Sequence, residues 1–405
     1  MPSRPDGPFP YIGDPPQVWR EAFLASAAES LSLRPEASYE RIVQRLLPFC
    51  RRFGITRLAD ITGLDRLGLP VVQAVRPAAL SEVTALGRGG TLTRAAVGAI
   101  MEACERYFAE AVPASRTFTA TADEMGIEPG LFDGLVRPDG ADDWRRRRLP
   151  WITGMELPSG AAAPIPFELV HTRYSHPAPV GDGVFTRSTT GLACHRSVGE
   201  AFLHGLYECI ERDALARAFR THGFFDRYRL SPPKTGATAK LLQAAGEAGI
   251  SVAFWQAPSS TGLPVVWCQT LETGPERPIL ALPTEGYSAR GSMEAACEDA
   301  LREALVTRAA TVSGARDDQT APHYAEGRFS DALAKARDLI LHHDPQADRP
   351  PGSTALPVNL ADLLALVTAS GLGPVFAVPV GLDHEAGVVS IRTVLGRAQA
   401  FSVVR

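Results

Sequence analysis

Lysine is scarce in this sequence of 405 residues, and several familiar catalytic motifs are missing. Only Lys234, Lys240 and Lys335 are lysines among its 41 basic side chains, so a Schiff-base or P-loop mechanism has few candidate residues. Neither G-x-x-x-x-G-K-[ST] nor a helix-opening G-x-G-x-x-G occurs, which excludes the common nucleotide-binding motifs. A G-x-S-x-G nucleophile elbow is also absent.

Paired cysteines are missing as well. The six cysteines are scattered along the chain, and no two of them have C-x-x-C spacing. At this density they indicate reduced thiols rather than a disulfide framework, and they argue against a cysteine-ligated zinc site. They are Cys50, Cys104, Cys194, Cys209, Cys268 and Cys297.

Neither the charge nor the hydropathy of the chain is extreme. The 41 basic and 45 acidic side chains leave a net charge of -4, which argues against a nucleic-acid binder that neutralises phosphates. No apolar run approaches the roughly 18 residues of a membrane span, and the N-terminus lacks the basic and apolar regions of a signal peptide. The sequence therefore predicts a soluble, cytoplasmic protein that binds neither membranes nor nucleic acid.

Helical and strand patterns alternate along the whole chain. Strong helices are predicted after Thr91 or Thr93, after Ser197 and after Ser292, where a hydroxyl side chain precedes a long run of helix-forming residues. Short β-branched runs, such as 278–283 and 388–395, predict strands. The interleaving predicts an α+β fold in which mixed, mostly antiparallel sheets pack against long helices.

The predicted domain organisation is simple. With 45% hydrophobic residues the chain can bury a large core. We expect an N-terminal extension over 1–38 and one domain over 39–405, subdivided by loops near 113–150 and 317–352.

The second strong helix places chemical groups on one face. Glu200, His204, Glu208 and Glu211 are spaced four, four and three residues apart, so they share one stripe of a helix. A solvated acidic face is the simpler interpretation of such a stripe. However, the flanking residues are apolar around much of the circumference, and buried carboxylates need partners.

The first strong helix repeats this pattern with Glu102 and Glu105 in apolar surroundings. Paired carboxylates on two buried helices suggest a shared site for a divalent cation, and hard oxygen ligands favour Mg²⁺, commonly together with nucleotide phosphates. A zinc or iron site built on His204 and the glutamates is the competing interpretation.

The third strong helix carries Glu303 and Arg308. An arginine on a buried helix suits a phosphate, because its fork binds two oxygens. The alternative is an ordinary ion pair with Glu303 or Glu298.

Taken in the order in which they occur along the chain, these helices and the segments around them resemble the YcaO family. The resemblance covers about 350 residues, and its most specific part is the string E-x-x-x-H-x-x-x-E-x-x-E-R-D-A. The architecture is most similar to the stand-alone members that are often found with a TfuA-type partner. The matching segments are 54–77, 87–90, 101–110, 188–214 and 303–318, with a faint match near 388–396.

The resemblance implies a cofactor, a reaction and a site. YcaO enzymes use ATP to activate a backbone amide oxygen, and a sulfide, a Cys, Ser or Thr side chain, or an amine then gives a thioamide, an azoline or an amidine. It implies that the chain acts on a ribosomally made precursor peptide, with a TfuA-like or leader-binding partner, and as a homodimer. The implied ligands of Mg²⁺ and ATP are Glu102, Glu105, Glu200, Glu208 and Glu211, and the implied further ATP contacts are Arg88, Arg212 and Arg308.

Several positions depart from the family pattern. The lysine of the Gly-rich turn is Arg88, and four other contact positions carry Gly98, Thr190, Arg196 and Val306. The substitutions at Arg196 and Val306 motivate one alternative to the enzyme, a degenerate, non-catalytic YcaO that serves as a peptide- or partner-binding scaffold. A second alternative is a metal-dependent hydrolase that uses His204 and the glutamates.

Arg196 motivates a hypothesis of its own. It replaces an asparagine, which offers a neutral oxygen, with a fixed charge that only donates hydrogen bonds. We expect Arg196 to form an ion pair with one of the glutamates and to substitute for one Mg²⁺ ion.

Overall fold

The computed structural model describes residues 17–27, 38–140, 143–222, 228–275, 278–314, 330–342 and 357–401. Most of the predicted N-terminal extension and much of the 317–352 loop lie outside these residues. None of the helices in the described part combines the length and the apolar character that a membrane crossing requires.

The helices begin where the sequence provides caps. The hydroxyls of Thr91, Ser197 and Ser292 each accept the backbone N–H three residues later, as predicted, and Asn359 forms a capping box with Asp362. The described helices are α1 Gln17–Ala27, α2 Tyr39–Leu46, α3 Leu92–Glu110, α4 Val198–His222, α5 Gly236–Glu247, α6 Met293–Val312, α7 Ser330–His342 and α8 Leu360–Ala369.

The strands form three antiparallel sheets. The first has the order β1-β2-β3, the second β11-β10-β9-β8, and the third β4-β5-β12-β13-β7 with β6 paired to β5. The strands are β1 Arg57–Asp60, β2 Val71–Val75, β3 Thr84–Arg88, β4 Thr117–Ala120, β5 Leu149–Leu157, β6 Ala162–Pro166, β7 Leu192–His195, β8 Tyr228–Leu230, β9 Ile250–Ala257, β10 Val265–Glu272, β11 Thr284–Ala289, β12 Val375–Asp383 and β13 Val388–Leu395. The α+β prediction is confirmed.

One predicted strand is wrong, and two predicted loops contain regular structure. Residues 278–283 form no strand, because the backbone N–H groups of Ile279 and Leu280 donate to the Glu272 carboxylate instead of to a neighbouring strand. The strand of this region is β11, which begins at Thr284. The loop near 113–150 contains β4, and the loop near 317–352 contains α7.

A strand, a short turn and a capped helix occur three times, as β3–α3, β7–α4 and β11–α6. In the first and third copies the helix crosses its strand closely at a glycine. A Cβ on Gly87 would lie 1.8 Å from the carbonyl oxygen of Ala95, and one on Gly286 would lie 2.2 Å from that of Ala300. This close packing fixes the position of each helix, and therefore of the polar residues along it.

Candidate functional site

The three repeated units bring equivalent carboxylates together. Eleven residues after its cap, each helix carries a glutamate: Glu102 on α3, Glu208 on α4 and Glu303 on α6. Three residues further, α3 carries Glu105 and α4 carries Glu211. We call these five glutamates the acidic centre.

Electrostatic interactions link the members of the acidic centre. Glu105 is repelled by both Glu102 and Glu208, and Glu211 by Glu303 and Glu208. The side chains of Glu208 and Glu303 are 20% and 28% exposed, so they border a recess that water enters. Four of the five predicted Mg²⁺ ligands therefore lie together in the structure, with Glu303 added to them.

Burial raises the pKa of three of these carboxyl groups. Burial is the largest cause for Glu105, Glu208 and Glu211, and neighbouring glutamates add to it. The pKa of Glu211 rises to about 8, although the Arg212 guanidinium opposes the rise. Such carboxylates are stabilised by a cation, which is the chemistry that a Mg²⁺ ion supplies.

Arginines border the acidic centre at three points, and one of them, Arg106 on α3, donates a 3.1 Å hydrogen bond to Glu102. Arg212 lies 3.6 Å from Glu208 and 3.0 Å from Glu211, and Arg88 lies 3.8 Å from Glu303. The contact between the Arg212 Nε and the Glu211 Oε1 is not a hydrogen bond, and neither buried atom has a hydrogen-bond partner in the described ranges. The guanidinium of Arg212 therefore has capacity to bind an additional oxygen ligand.

The glutamates do not by themselves surround one point. Within the residues that the structure describes, no three His, Cys, Asp or Glu side chains are grouped closely enough to hold a metal ion. The donor set therefore fits Mg²⁺ held jointly with phosphate oxygens better than a cage made only of protein ligands.

Glu200 and His204, the remaining members of the predicted stripe, lie toward the start of α4. Glu200 is eight residues before Glu208, about 12 Å along the helix axis. The Nδ1 of His204 and the Nε2 of His195, at the end of β7, share a hydrogen bond of 3.0 Å. Burial lowers the pKa of both histidines. In the third unit, the equivalent positions hold Arg290 and Asp299, which form an ion pair of 2.6 Å. In both units the contact therefore joins the end of the strand to the helix that follows it.

Arg196 pairs with a glutamate, as expected, but weakly. Its Nη2 lies 3.7 Å from Glu200 Oε1, and the two side chains are 44% and 30% exposed. An ion pair of this length and exposure is strongly screened by water. Arg196 therefore neutralises none of the buried carboxylates of the acidic centre.

We accordingly expect Arg196→Ala to have little effect. The free energy of unfolding in EDTA should fall by less than about 0.5 kcal/mol, because a half-exposed ion pair contributes no more. Denaturant melts of the parent and the variant measure this. A loss of several kcal/mol that Mg²⁺ restores would instead establish Arg196 as a substitute for the ion.

Arg308 lies in a different environment from the other predicted phosphate contacts. Its side chain is 2% exposed and forms ion pairs of 2.8 Å with Asp65 and 2.7 Å with Glu272. The ion pair that was the alternative to a phosphate contact therefore exists, but with Asp65 and Glu272, and the partners named for it, Glu303 and Glu298, are wrong. Arg308 stands sixteen residues after the cap of α6, whereas Arg212 stands fifteen after that of α4, and this one-residue difference turns the side chain by about 100° around the helix.

The repeated spacing is the signal that would have completed the site from the sequence. Glu303 lies outside the predicted ligand set, although it shares its position in the repeated unit with Glu102 and Glu208. Arg392 on β13 is not among the predicted site residues. It is 3% exposed and interacts electrostatically with both Glu105 and Glu208.

The raised pKa of Glu211 predicts how stability depends on pH in the absence of metal. Between its ordinary value of 4.5 and about 8 the folded protein holds a proton that the unfolded chain has lost, so stability falls as the pH rises. The lowered pKa values of His195 and His204 change the pH dependence of stability only below pH 6.5, the ordinary pKa of histidine. Between about pH 6.5 and 8 we expect Glu211 to contribute a loss of up to about 1.4 kcal/mol per pH unit, to which Glu105 adds because its pKa is also raised.

Urea melts in EDTA at several pH values measure this slope. Glu211→Gln should make the slope shallower without abolishing it, because burial also raises the pKa of Glu105, and saturating Mg²⁺ should reduce the slope in the parent. A parent profile that is flat or rises across this range would contradict a protonated Glu211.

Comparison with known proteins gives a consistent result. A family model described as YcaO cyclodehydratase, binding ATP and Mg²⁺, matches residues 86–395. An uncharacterized protein of Methanothermobacter thermautotrophicus is 30% identical over 360 residues, covering 86% of this chain and 91% of that protein. An uncharacterized protein in the tfuA 3′ region of Rhizobium leguminosarum bv. trifolii is 27% identical, covering 86% of this chain and 84% of its own. The structure of YcaO from Methanopyrus kandleri bound with AMPPCP and Mg²⁺ has a TM-score of 0.64 and 23% identity, covering 89% of this chain and 90% of that one.

Proposed function

The chain belongs to the YcaO family, whose cofactors are ATP and Mg²⁺, and we propose that it activates a backbone amide of a ribosomally made peptide for attack by a nucleophile. The convergence of equivalent glutamates from three helices on one recess supports this proposal most directly. Three of these carboxylates are buried enough to have raised pKa values, and a protein that kept them without a cation to bind would be destabilised for no gain.

Each group of side chains has its own part in the proposal. Glu102, Glu105, Glu208, Glu211 and Glu303 hold Mg²⁺ together with phosphate oxygens, and Glu200 contributes from the start of α4. ATP supplies the phosphoryl group that turns a poor leaving oxygen into a good one. Arg212 and Arg88 stabilise negative charge on the phosphates, because a guanidinium in a partly dry recess acts more strongly than it would in water.

One structural observation favours the alternative that the chain is a non-catalytic scaffold. At the position of Glu105 and Glu211, the third unit has Val306, which is 5% exposed and packs against Ile61 and Val71. This helix therefore offers one carboxylate to the recess instead of two. A scaffold would bind peptide or partner without releasing phosphate from ATP.

The substrate and the partner follow from the family and from one relative. We propose a precursor peptide as the substrate and a TfuA-like protein as the partner, because a relative with 27% identity lies in a tfuA 3′ region. The nucleophile remains one of three kinds: a sulfide, a Cys, Ser or Thr side chain, or an amine. A homodimer in the cytoplasm completes the proposal.

Phosphate release from ATP tests the proposal. The purified chain is incubated with Mg²⁺, ATP, the TfuA-like partner and each short peptide encoded beside its gene, and the peptides are examined by mass spectrometry. Release that depends on one peptide, with a mass change on that peptide, supports the enzyme. Saturable ATP binding without release for any peptide supports the scaffold.

A further inference from the structure

A narrow cleft borders the acidic centre on the side of β13. It is formed by the segment before β7, by the end of β13 and by the residues that follow that strand, and Arg212, which borders the acidic centre, is part of its wall. Its volume of about 40 Å³ accommodates roughly three water molecules, so it admits a small polar group but not a nucleotide. The residues that matter below are Thr186, Ser188, Thr190, Arg212, Arg392 and Phe401.

Arg392 is the unusual member of this wall. Its side chain is 97% buried, since only 3% is exposed, and its Nη2 donates a 2.8 Å hydrogen bond to the carbonyl oxygen of Ser188. Its Nε and Nη1 have no hydrogen-bond partner within the described ranges. A buried guanidinium with free donors is costly unless a ligand completes its hydrogen bonds.

Charge compensation alone does not explain this arrangement. Arg392 interacts electrostatically with Glu105 and Glu208, yet among the described residues it forms no ion pair within 4 Å with either of them. Its fork is instead fixed by a backbone carbonyl, which leaves donors for another group. Arg212 adds a second guanidinium to the same cleft, and its 5.8 Å contact with the Phe401 ring fixes its orientation there.

We propose that this cleft binds a small oxyanion, a carboxylate or a phosphate, between the guanidinium groups of Arg392 and Arg212. Two guanidinium groups supply charge-assisted donors, and the polar residues Ser188 and Thr190 also line the cleft. The cleft shares Arg212 with the proposed nucleotide site and extends beyond it to Arg392, which the nucleotide proposal does not use, and binding there needs no Mg²⁺. A carboxylate would come from the peptide substrate, and a phosphate would be the one that ATP releases.

Calorimetric titration of the purified full chain in EDTA tests the proposal, with inorganic phosphate and acetate as separate probes. Without Mg²⁺ the acidic centre lacks the ion that would hold phosphate oxygens there, so saturable binding in EDTA reports on the arginines of the cleft. We expect millimolar or tighter binding of at least one probe. A preference for phosphate assigns the cleft to the phosphate that ATP releases. A preference for acetate assigns it to a carboxylate of the peptide substrate.

Three variants locate the binding. Arg392→Gln should weaken the preferred probe about tenfold to a hundredfold, the loss expected for charge-assisted hydrogen bonds in a dry site. Arg392→Lys keeps the charge but loses the fork, so it should weaken binding about tenfold, and it remains informative if the glutamine variant fails to fold. Arg137→Gln is the matched control, because Arg137 pairs with Asp139 on the surface, and it should bind like the parent.

Three results would overturn the cleft site: no saturable binding of either probe, binding that appears only with Mg²⁺, or binding that survives in both Arg392 variants. The nucleotide proposal is tested independently by Mg²⁺ with ATP. A chain that fails to bind ATP but binds phosphate in EDTA would reject that proposal and keep this one.

Discussion

Replacing Glu208 by glutamine should remove nearly all of the stabilisation that Mg²⁺ with ATP gives to the parent protein. A ligand that binds only the folded state at a hundred times its Kd stabilises by about 2.7 kcal/mol, and we expect less than about 0.5 kcal/mol for the variant. Glu208 is repelled by Glu303 and also repels Glu105 and Glu211, so its charge lies at the middle of the acidic centre. Thermal melts with and without ligand measure the difference.

The same variant should be as stable as the parent, or more stable, when no ligand is present. Burial raises the pKa of Glu208, and glutamine can still accept the 3.0 Å hydrogen bond from the Gly191 N–H. Removing a buried charge while keeping its hydrogen bond relieves repulsion. A combination of greater stability and lost ligand response indicates a binding residue, whereas lower stability with a normal response would reject this role.

Glu298→Gln is the matched control for this experiment. Glu298 also lies on one of the three repeated helices, but it pairs with Arg302 one turn later and is 32% exposed. Its loss should cost less than about 0.5 kcal/mol, and the ligand response should remain that of the parent.

The extent to which the sequence predicts this molecule depends on the range of the interactions involved. Helix starts at Thr91, Ser197 and Ser292 were predictable, because a cap and the residues it serves are three positions apart. The failed strand at 278–283 depends on the carboxylate of Glu272, which captures N–H groups that a strand would have used. That capture is set by tertiary packing, so local strand propensity could not predict it.

The site shows the same division. Glu102, Glu105, Glu208 and Glu211 were predictable, because carboxylates in apolar helical surroundings need a partner. Arg392 was not, because β13 carries no other charged residue to mark a site. Its neighbours Glu105 and Glu208 come from two different helices, which only the folded chain brings together with it.

Arg308→Met should have the largest effect on stability of the substitutions considered. It leaves Asp65 and Glu272 as two buried carboxylates, 4% and 5% exposed, without the cation that pairs with both at less than 3 Å. Of the two, Glu272 keeps a longer contact of 3.5 Å with Arg66. Removing one member of a buried ion-pair network costs about 3–5 kcal/mol. Urea melts give the loss, with Arg137→Gln as a surface control that should cost less than about 0.5 kcal/mol.

The ligand response of Arg308→Met decides between the two roles proposed for this arginine. If Arg308 joins the first and second sheets through Asp65 and Glu272, the variant is less stable, but Mg²⁺ with ATP stabilises it as much as the parent. A lost ligand response would instead support the prediction from the sequence that Arg308 contacts a phosphate. The triple variant Asp65→Asn, Glu272→Gln and Arg308→Met should recover part of the lost stability, because neutralising a whole buried network costs less than removing one of its charges. Such recovery would establish that the cost comes from the unpaired carboxylates, and not from a side chain too short to fill the space of arginine.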